Sequence, residues 1–349
     1  MANLTPSNAF NPDGSKFGEL RDKVVVLTGK LRFALPRFLR MSLEHVSKCI
    51  SCIGSPLEYQ DEAVFLHPTG GANGIGAATV SLLHSHGAKI VFGDYDAKAG
   101  EALASRLGED VTFLKTDVSK YADNLALFKT AFQKYGRIDH AVAVAGVGEK
   151  GDWFKDDLTV EDVETPQDEG TVQVNTLGVL YFVRIALPYL RLGRTAGEDR
   201  SLVIVGSAAG FRPSPGLPVY AATKHSIQGL LRSLRSSLHD AHNIRLNVLN
   251  PGVTDTQMAG VVARAFRAAG LEDAVNMPEE LAVTILGFLT EREIWGRSVY
   301  VEGGKGWEFE GRYWEMMPQW LGEGPTERLR RGLELVASVS AFFVLVYGA

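Results

Sequence analysis

A series of short apolar runs, each separated from the next by a helix-patterned stretch, sets the first limit on what this chain can fold into. The runs are Val24–Leu27 (VVVL), Lys89–Gly93 (KIVFG), Val111–Lys115, His140–Ala143, Leu202–Val205 (LVIV), Arg245–Leu249 and Ser298–Val301. Each is short and largely unbroken by polar residues, the pattern of a strand buried on both faces. Helical patterns fill the intervals at Ala77–His86, Ala97–Leu107, Asn124–Tyr135, around Asn175, from Tyr220 to near Asp240, and at Pro278–Thr290. Strand and helix in alternation predict an α/β fold: a doubly wound parallel sheet with helices on both faces.

A chain of 349 residues can hold one large domain or two ordinary ones. With 45% hydrophobic and 22% charged residues it has the profile of a soluble globular protein with a sizeable core. A net charge of −5 and the lack of a long basic cluster argue against a nucleic-acid binder. Cys49 and Cys52 are the only cysteines, so there is no disulfide framework. Residues 1–22 are polar, without the apolar core of a secretory signal, and read as a flexible lead-in. A reducing, cytoplasmic setting is expected.

The segment Lys30–Pro68 interrupts the pattern where a strand should pass directly into a glycine turn. Thr28-Gly29 stands before it, and Thr69-Gly70 repeats the pair after it. Joining Gly29 to Gly71 gives VVVLTGGANGIGAATV, an unbroken strand–turn–helix. Gly-Lys can be encoded as GGTAAG, which contains a splice donor, and Thr-Gly as ACAGGN, which contains an acceptor. A translated intron is therefore expected; the alternative is a genuine surface excursion, which loops tolerate well. Cys49-Ile-Ser-Cys52 is a lone CxxC, and no metal or redox role is expected of it. Two segments can supply the first strand, Val24–Leu27 or Ala63–Leu66, and the sequence does not choose between them.

From Thr69 the chain reads TGGANGIG and enters a helix. Glycines at such a turn let backbone approach a pyrophosphate, which rests on the helix N-terminus. Asp94, at the end of the next strand, is placed to accept from adenosine ribose hydroxyls and to repel a 2′-phosphate. No Arg or Lys lies in the turn or directly after Asp94, which favours NAD, with NADP as the alternative. Asp117 at a strand end can meet an adenine amino group or simply cap the following helix. Asp96 reads as a solvated helix cap.

Ser207 follows a strand, and Tyr220 and Lys224 lie one helical turn apart on one face. An ammonium there lowers a tyrosine pKa, fitting the phenol for general acid–base work on an alcohol or carbonyl oxygen. Ser207 can hold that same oxygen. Asn175, among apolar helix residues, needs partners; it either satisfies its neighbours or shapes a water site feeding Lys224. Val253–Asn276 reads as a mobile connection suited to a substrate lid.

These motifs, in this order, resemble those of the classical short-chain dehydrogenase/reductase family over residues 23–29 and 69–304, including fungal members of secondary metabolism. The resemblance implies a single Rossmann-type domain of about seven parallel strands, in a homodimer or homotetramer. It carries the cofactor turn onto Gly70, Gly74, Ile75 and Gly76, the adenine contact onto Asp117 and Val118, and the cofactor wall onto Val144, Ala145 and Gly146. Val253 and Thr256 match the segment that holds the nicotinamide carboxamide, and Asn175, Ser207, Tyr220 and Lys224 match the catalytic tetrad, with Tyr220 and Lys224 also on the cofactor. Ala143-Val144-Ala145-Gly146 departs from the family's Asn-Asn-Ala-Gly and loses amide hydrogen bonds near the ribose.

The expected activity is hydride transfer between nicotinamide and a secondary alcohol or ketone of a mostly apolar small molecule, such as a polyketide or terpenoid intermediate. The alternatives are an NADPH-dependent ketoreductase and a non-catalytic scaffold disabled by the insertion. The tail from Lys305 is aromatic (Trp307, Phe309, Tyr313, Trp314, Trp320) and ends in the uncharged run Leu335–Ala349. That run falls short of the ~20 residues that span a bilayer, so packing against the body or a partner is expected ahead of lipid contact.

Overall fold

The structure, a computed structural model, describes residues 9–31, 69–194 and 197–347. Cys49, Cys52 and Ala63–Leu66 lie outside the described residues. The first parallel strand is β2, Val24–Leu31, which sits in the middle of the sheet. Around it run β4 (Lys89–Asp94), β5 (Val111–Lys115), β6 (His140–Ala143), β7 (Arg200–Val205), β8 (Ile244–Pro251) and β9 (Ser298–Glu302). The parallel order is β5-β4-β2-β6-β7-β8-β9. Chain order reverses beside β2, between β4 and β6, which opens a crevice at the strand C-termini where α/β folds bind ligands.

Alternation along β2 explains the two helical layers. Val25 and Leu27 face one core with Val80 and Leu83 of α1 (Gly74–Ser85), Leu103 of α2 (Ala97–Leu107) and Ile285 of α7 (Pro278–Thr290). Val24 and Val26 face the other, with Phe128 of α3 (Tyr121–Tyr135), Phe182 of α4 (Gly170–Arg191) and Leu231 of α5 (Pro218–His242). All four β2 side chains are buried. By length and composition α4 could cross a membrane, but half of its apolar window is buried in this second core.

Three stretches differ from their sequence reading. The lead-in is packed from residue 9: β1 (Ala9–Phe10) pairs with Trp307 and Gly306, and a 3-10 turn, Gly14–Leu20, buries Phe17 and Leu20. The connection Val253–Asn276 holds helix α6 (Gly260–Ala268) and a second short turn, with Thr254 bridged to Asn276. The domain also runs on past Gly304. Gly303-Gly304 turns the chain back into β10 (Lys305–Glu308), which pairs antiparallel with β9. Helices α8 (Glu310–Glu315), α9 (Met317–Leu321) and α10 (Glu323–Tyr347) follow, and α10 exposes Leu329, Leu333, Leu335 and Val336.

The excursion leaves and returns at one place. Lys30 and Leu31 continue β2 and pair antiparallel with Gly70 and Thr69, which form β3. Gly29 lies beside Asp94 in the sheet. Gly70 therefore belongs to the stem of the excursion, and the strand-end glycine nearest Asp94 is Gly29.

Candidate active site

Strand β7 ends at Val205, and Ser207 opens a short 3-10 turn, Ala208–Gly210. Helix α5 begins at Pro218, whose fixed φ suits a first turn, and ends at Asn243 in the left-handed region. It brings Tyr220 and Lys224 against the Ser207 turn. The Ser207 hydroxyl lies close enough to the Tyr220 phenol to pull its pKa down. Lys224 is buried; its ammonium donates to the Val205 carbonyl at 3.3 Å and lies 5.7 Å from the Tyr220 ring centre.

Asn175 sits in a π-helical stretch of α4, Gln173–Gly178. Such wide turns inside α-helices recur at functional sites. Its carbonyl accepts from Val147 N at 2.7 Å, and its amide donates to Val147 O at 2.8 Å and Thr223 Oγ1 at 3.2 Å. Thr223 in turn donates to the Tyr220 carbonyl at 2.7 Å. Both amide hydrogens are thus engaged, so the Asn175 side chain positions the loop after β6 and the first turn of α5.

Sequence reasoning expected Lys224 to lower the Tyr220 pKa. In the structure burial dominates both groups. It pushes the phenol up from its ordinary value, with the Ser207 hydrogen bond pulling back, and brings the Lys224 ammonium down to about 8. The ammonium lies beside the ring, and its one hydrogen bond among the described residues is to a neutral carbonyl. This has a stability consequence. Between pH 8 and 10.5 the unfolded chain binds more protons at Lys224 than the folded one, so stability rises with pH there, and the full cost is present below 8. Lys224→Met is expected to stabilise the free protein at pH 7 by about 3 kcal/mol, an advantage that fades above pH 10. Urea unfolding at the two pH values measures it; a Met variant less stable at pH 7 would mean the ammonium is well paired.

The crevice fits a dinucleotide. Helix α1 starts at Gly74, and its N-cap residue Asn73 makes no side-chain hydrogen bond to it, leaving the first N–H groups open to an anion. Gly74 has φ +52, and a side chain there would meet Thr256 Cγ2 at 3.1 Å. A Cβ on Gly71 would meet the Gly93 carbonyl at 2.8 Å. Ile75 and Gly76 are buried in the first turn, and Ala72 N donates to Asp94 at 2.9 Å. Asp94 also accepts from Asp96 N at 2.8 Å; it is fully buried, and burial raises its pKa to about 6. Asp96 caps α2 through Ala99 N.

Asp117 accepts from the Ser119 backbone and hydroxyl, while α3 itself starts after Lys120. Val118 packs with Ala145, Val147 and Val174. Val144 is buried, its N–H donating to Thr28 O, and Gly146 is buried beside it. Val253 is held through its carbonyl by Asn276, and Thr256 reaches the glycine turn at Gly74. The glycine turn, Val144–Gly146 and the Ser207, Tyr220 and Lys224 group therefore share the C-terminal end of the sheet.

One residue escaped the sequence reading. Glu149 is buried and accepts from Val219 N at 3.1 Å and Tyr220 N at 2.6 Å, capping α5 from a distant loop. Its only signal was an acid closing the apolar run AVAVAGVG.

A family model described as short chain dehydrogenase matches residues 67–265, beginning at the end of the excursion. A short-chain dehydrogenase/reductase of Penicillium rubens, prx4, is 32% identical over 281 residues, 75% of this chain and 82% of the relative. The 5'-hydroxyaverantin dehydrogenase of Dothistroma septosporum is 32% identical over 220 residues, 58% of this chain and 71% of that one. Among solved structures, a 3-ketoacyl-(acyl-carrier-protein) reductase from Brucella melitensis complexed with NADH superposes with a TM-score of 0.60 at 24% identity. It covers 82% of this chain and 98% of that chain.

Proposed function

The chain belongs to the short-chain dehydrogenase family and is an NAD(P)-dependent oxidoreductase, and from that premise we propose that it interconverts a secondary alcohol and its ketone on a mostly apolar small molecule, with NAD as the preferred cofactor. The observation that carries this reading is the buried Lys224 beside the Tyr220 ring, one helical turn away on α5, where the Ser207 turn packs against the phenol. Likeness to a Dothistroma dehydrogenase supports a biosynthetic substrate of the secondary-metabolite kind.

The chemistry that a bound nicotinamide would supply is hydride exchange with the alcohol or carbonyl carbon. Tyr220 takes the hydroxyl proton in oxidation and gives it back in reduction. Ser207 donates to the reacting oxygen and keeps it in line with the phenol. Lys224, while charged, favours the phenolate and would hold the nicotinamide ribose. Asn175 and Glu149 hold the loop and the helix turn that set these distances. Gly71, Gly74, Ile75 and Gly76 would cradle the pyrophosphate, and Val144–Gly146, Val253 and Thr256 would flank the rest.

NADH titration followed by nicotinamide fluorescence tests the cofactor site; a chain that binds neither NADH nor NADPH would defeat the reading. Asp94 decides between the two, because its carboxylate faces the turn where a 2′-phosphate would sit. Asp94→Ser is expected to shift the NADH-to-NADPH affinity ratio at least about tenfold towards NADPH, since it removes a like charge. An unchanged ratio would place discrimination elsewhere. The protein is read as a homodimer or homotetramer, supported by the exposed apolar residues Tyr121, Leu177 and Leu180 on α3 and α4. Light scattering checks the mass.

A further inference from the structure

We propose that Phe211, backed by Tyr300 and Phe309, forms one wall of the substrate site and selects planar fused-ring ketones or alcohols over saturated ones. This rests on the dehydrogenase reading above and names its substrate class.

Phe211 ends the 3-10 turn that Ser207 begins, and it is 40% exposed despite two aromatic neighbours. Phe309 lies 4.5 Å from it at a 40° tilt, and Tyr300 meets it edge-on at 5.6 Å. Tyr300 belongs to β9, beside Asn250 of β8, so its ring lies near the end of the strand that leads into Gly252. A Cβ on Gly252 would come within 3.1 Å of the Tyr300 hydroxyl. The three rings therefore stand between the Ser207 turn, which holds the reacting oxygen, and the Gly252–Val253 turn on the nicotinamide side. A substrate whose oxygen reaches Ser207 and Tyr220 extends its carbon frame along this wall.

The wall is rigid. The Tyr300 hydroxyl donates to Glu302. Next to Phe309, the buried Glu310 carboxylate takes a two-point hydrogen bond from Arg232 at 2.9 Å and a third contact from Arg235 at 3.3 Å. Both arginines lie on α5, the helix that carries Tyr220 and Lys224. The bidentate pair fixes orientation as well as distance. Wall and catalytic helix thus keep one spacing, which a flat ring system can fill by offset stacking on Phe211. A puckered, saturated frame presents no π face and loses that contact.

The test compares acetylnaphthalene with acetyldecalin, matched methyl ketones that are flat and puckered. Naphthalene fluorescence reports the first directly on the full chain with NAD+ present, which has no hydride to give the ketone, and displacement reports the second, so binding is read without turnover. The intact protein is expected to favour acetylnaphthalene. Phe211→Leu should cut the affinity ratio about tenfold, and Phe309→Leu about threefold, because aromatic pairing adds to simple burial. A ratio near one in the intact protein, or a ratio unmoved in both variants, overturns the proposal. So does a changed subunit number with an unchanged ratio, which would make the rings a contact between copies. NADH affinity is read in parallel samples without ketone: its absence in the intact chain defeats the dehydrogenase reading separately from the wall.

Discussion

Replacing Tyr220 by Phe is expected to lower turnover about a thousandfold while leaving NADH affinity within about twofold. A positioned general acid–base group contributes on the order of 10²–10⁴ in rate. The ring, its place on α5 and its packing all survive the substitution, so only the proton carrier is lost. The pH dependence carries the same signature. Oxidation needs the phenolate and should rise with pH, whereas reduction needs the phenol and should fall. Burial has pushed the Tyr220 pKa upward and the Ser207 hydrogen bond holds it back, so Ser207→Ala is expected to move the oxidation limb to still higher pH. Stopped-flow measurement of both directions across pH separates these effects. A Phe variant retaining more than a tenth of wild-type turnover would mean another group carries the proton.

How far such a site can be read beforehand depends on whether its residues speak locally. Leu202–Val205 and the Tyr220–Lys224 pair were legible because burial on two faces and one-turn spacing leave marks within a few residues, whereas Val24–Leu27 competed with Ala63–Leu66, an equally apolar run, for the first strand. Ala9–Phe10 left none, since a two-residue strand gains its identity only from β10. Gly303-Gly304 read as the end of the sheet because a glycine pair signals a turn without fixing where the chain goes next. Helix α6 was hidden within a connection of mixed composition, where Thr254 and Asn276 fix its ends through tertiary hydrogen bonds. Glu149 was illegible for the same reason, its partners lying on a helix far along the chain. The direction of the Tyr220 shift was misjudged because spacing shows that two groups share a face but not how much water is excluded from them.

Joining Gly29 directly to Gly71 is expected to give a protein that melts roughly 5 °C or more higher and binds NADH about tenfold more tightly. The register supplies the reason. Lys30 faces Gly70 across an antiparallel pair, and such partners lie only about 4.5–5.5 Å apart, so Gly29 and Gly71, which flank that pair, are brought close together. Gly71 already packs against the Gly93 carbonyl, and Ala72 already donates to Asp94, so the turn does not depend on the excursion for its contacts. Removing a loop of this length relieves closure entropy on the order of 2–3 kcal/mol, since each doubling of length costs about 0.6 kcal/mol; at about 2 °C per kcal/mol this is the melting shift stated. Tighter cofactor binding is expected because the central strand then leads straight into the glycine turn, as the uninterrupted reading VVVLTGGANGIG requires. Calorimetry and fluorescence titration on the two proteins measure both effects. A shortened chain that fails to fold would show that residues 30–70 belong to the structure, and equal affinity would make them a tolerated excursion. The expected pair of gains would instead mark them as an intron carried into the protein, and the transcript should then be found without them.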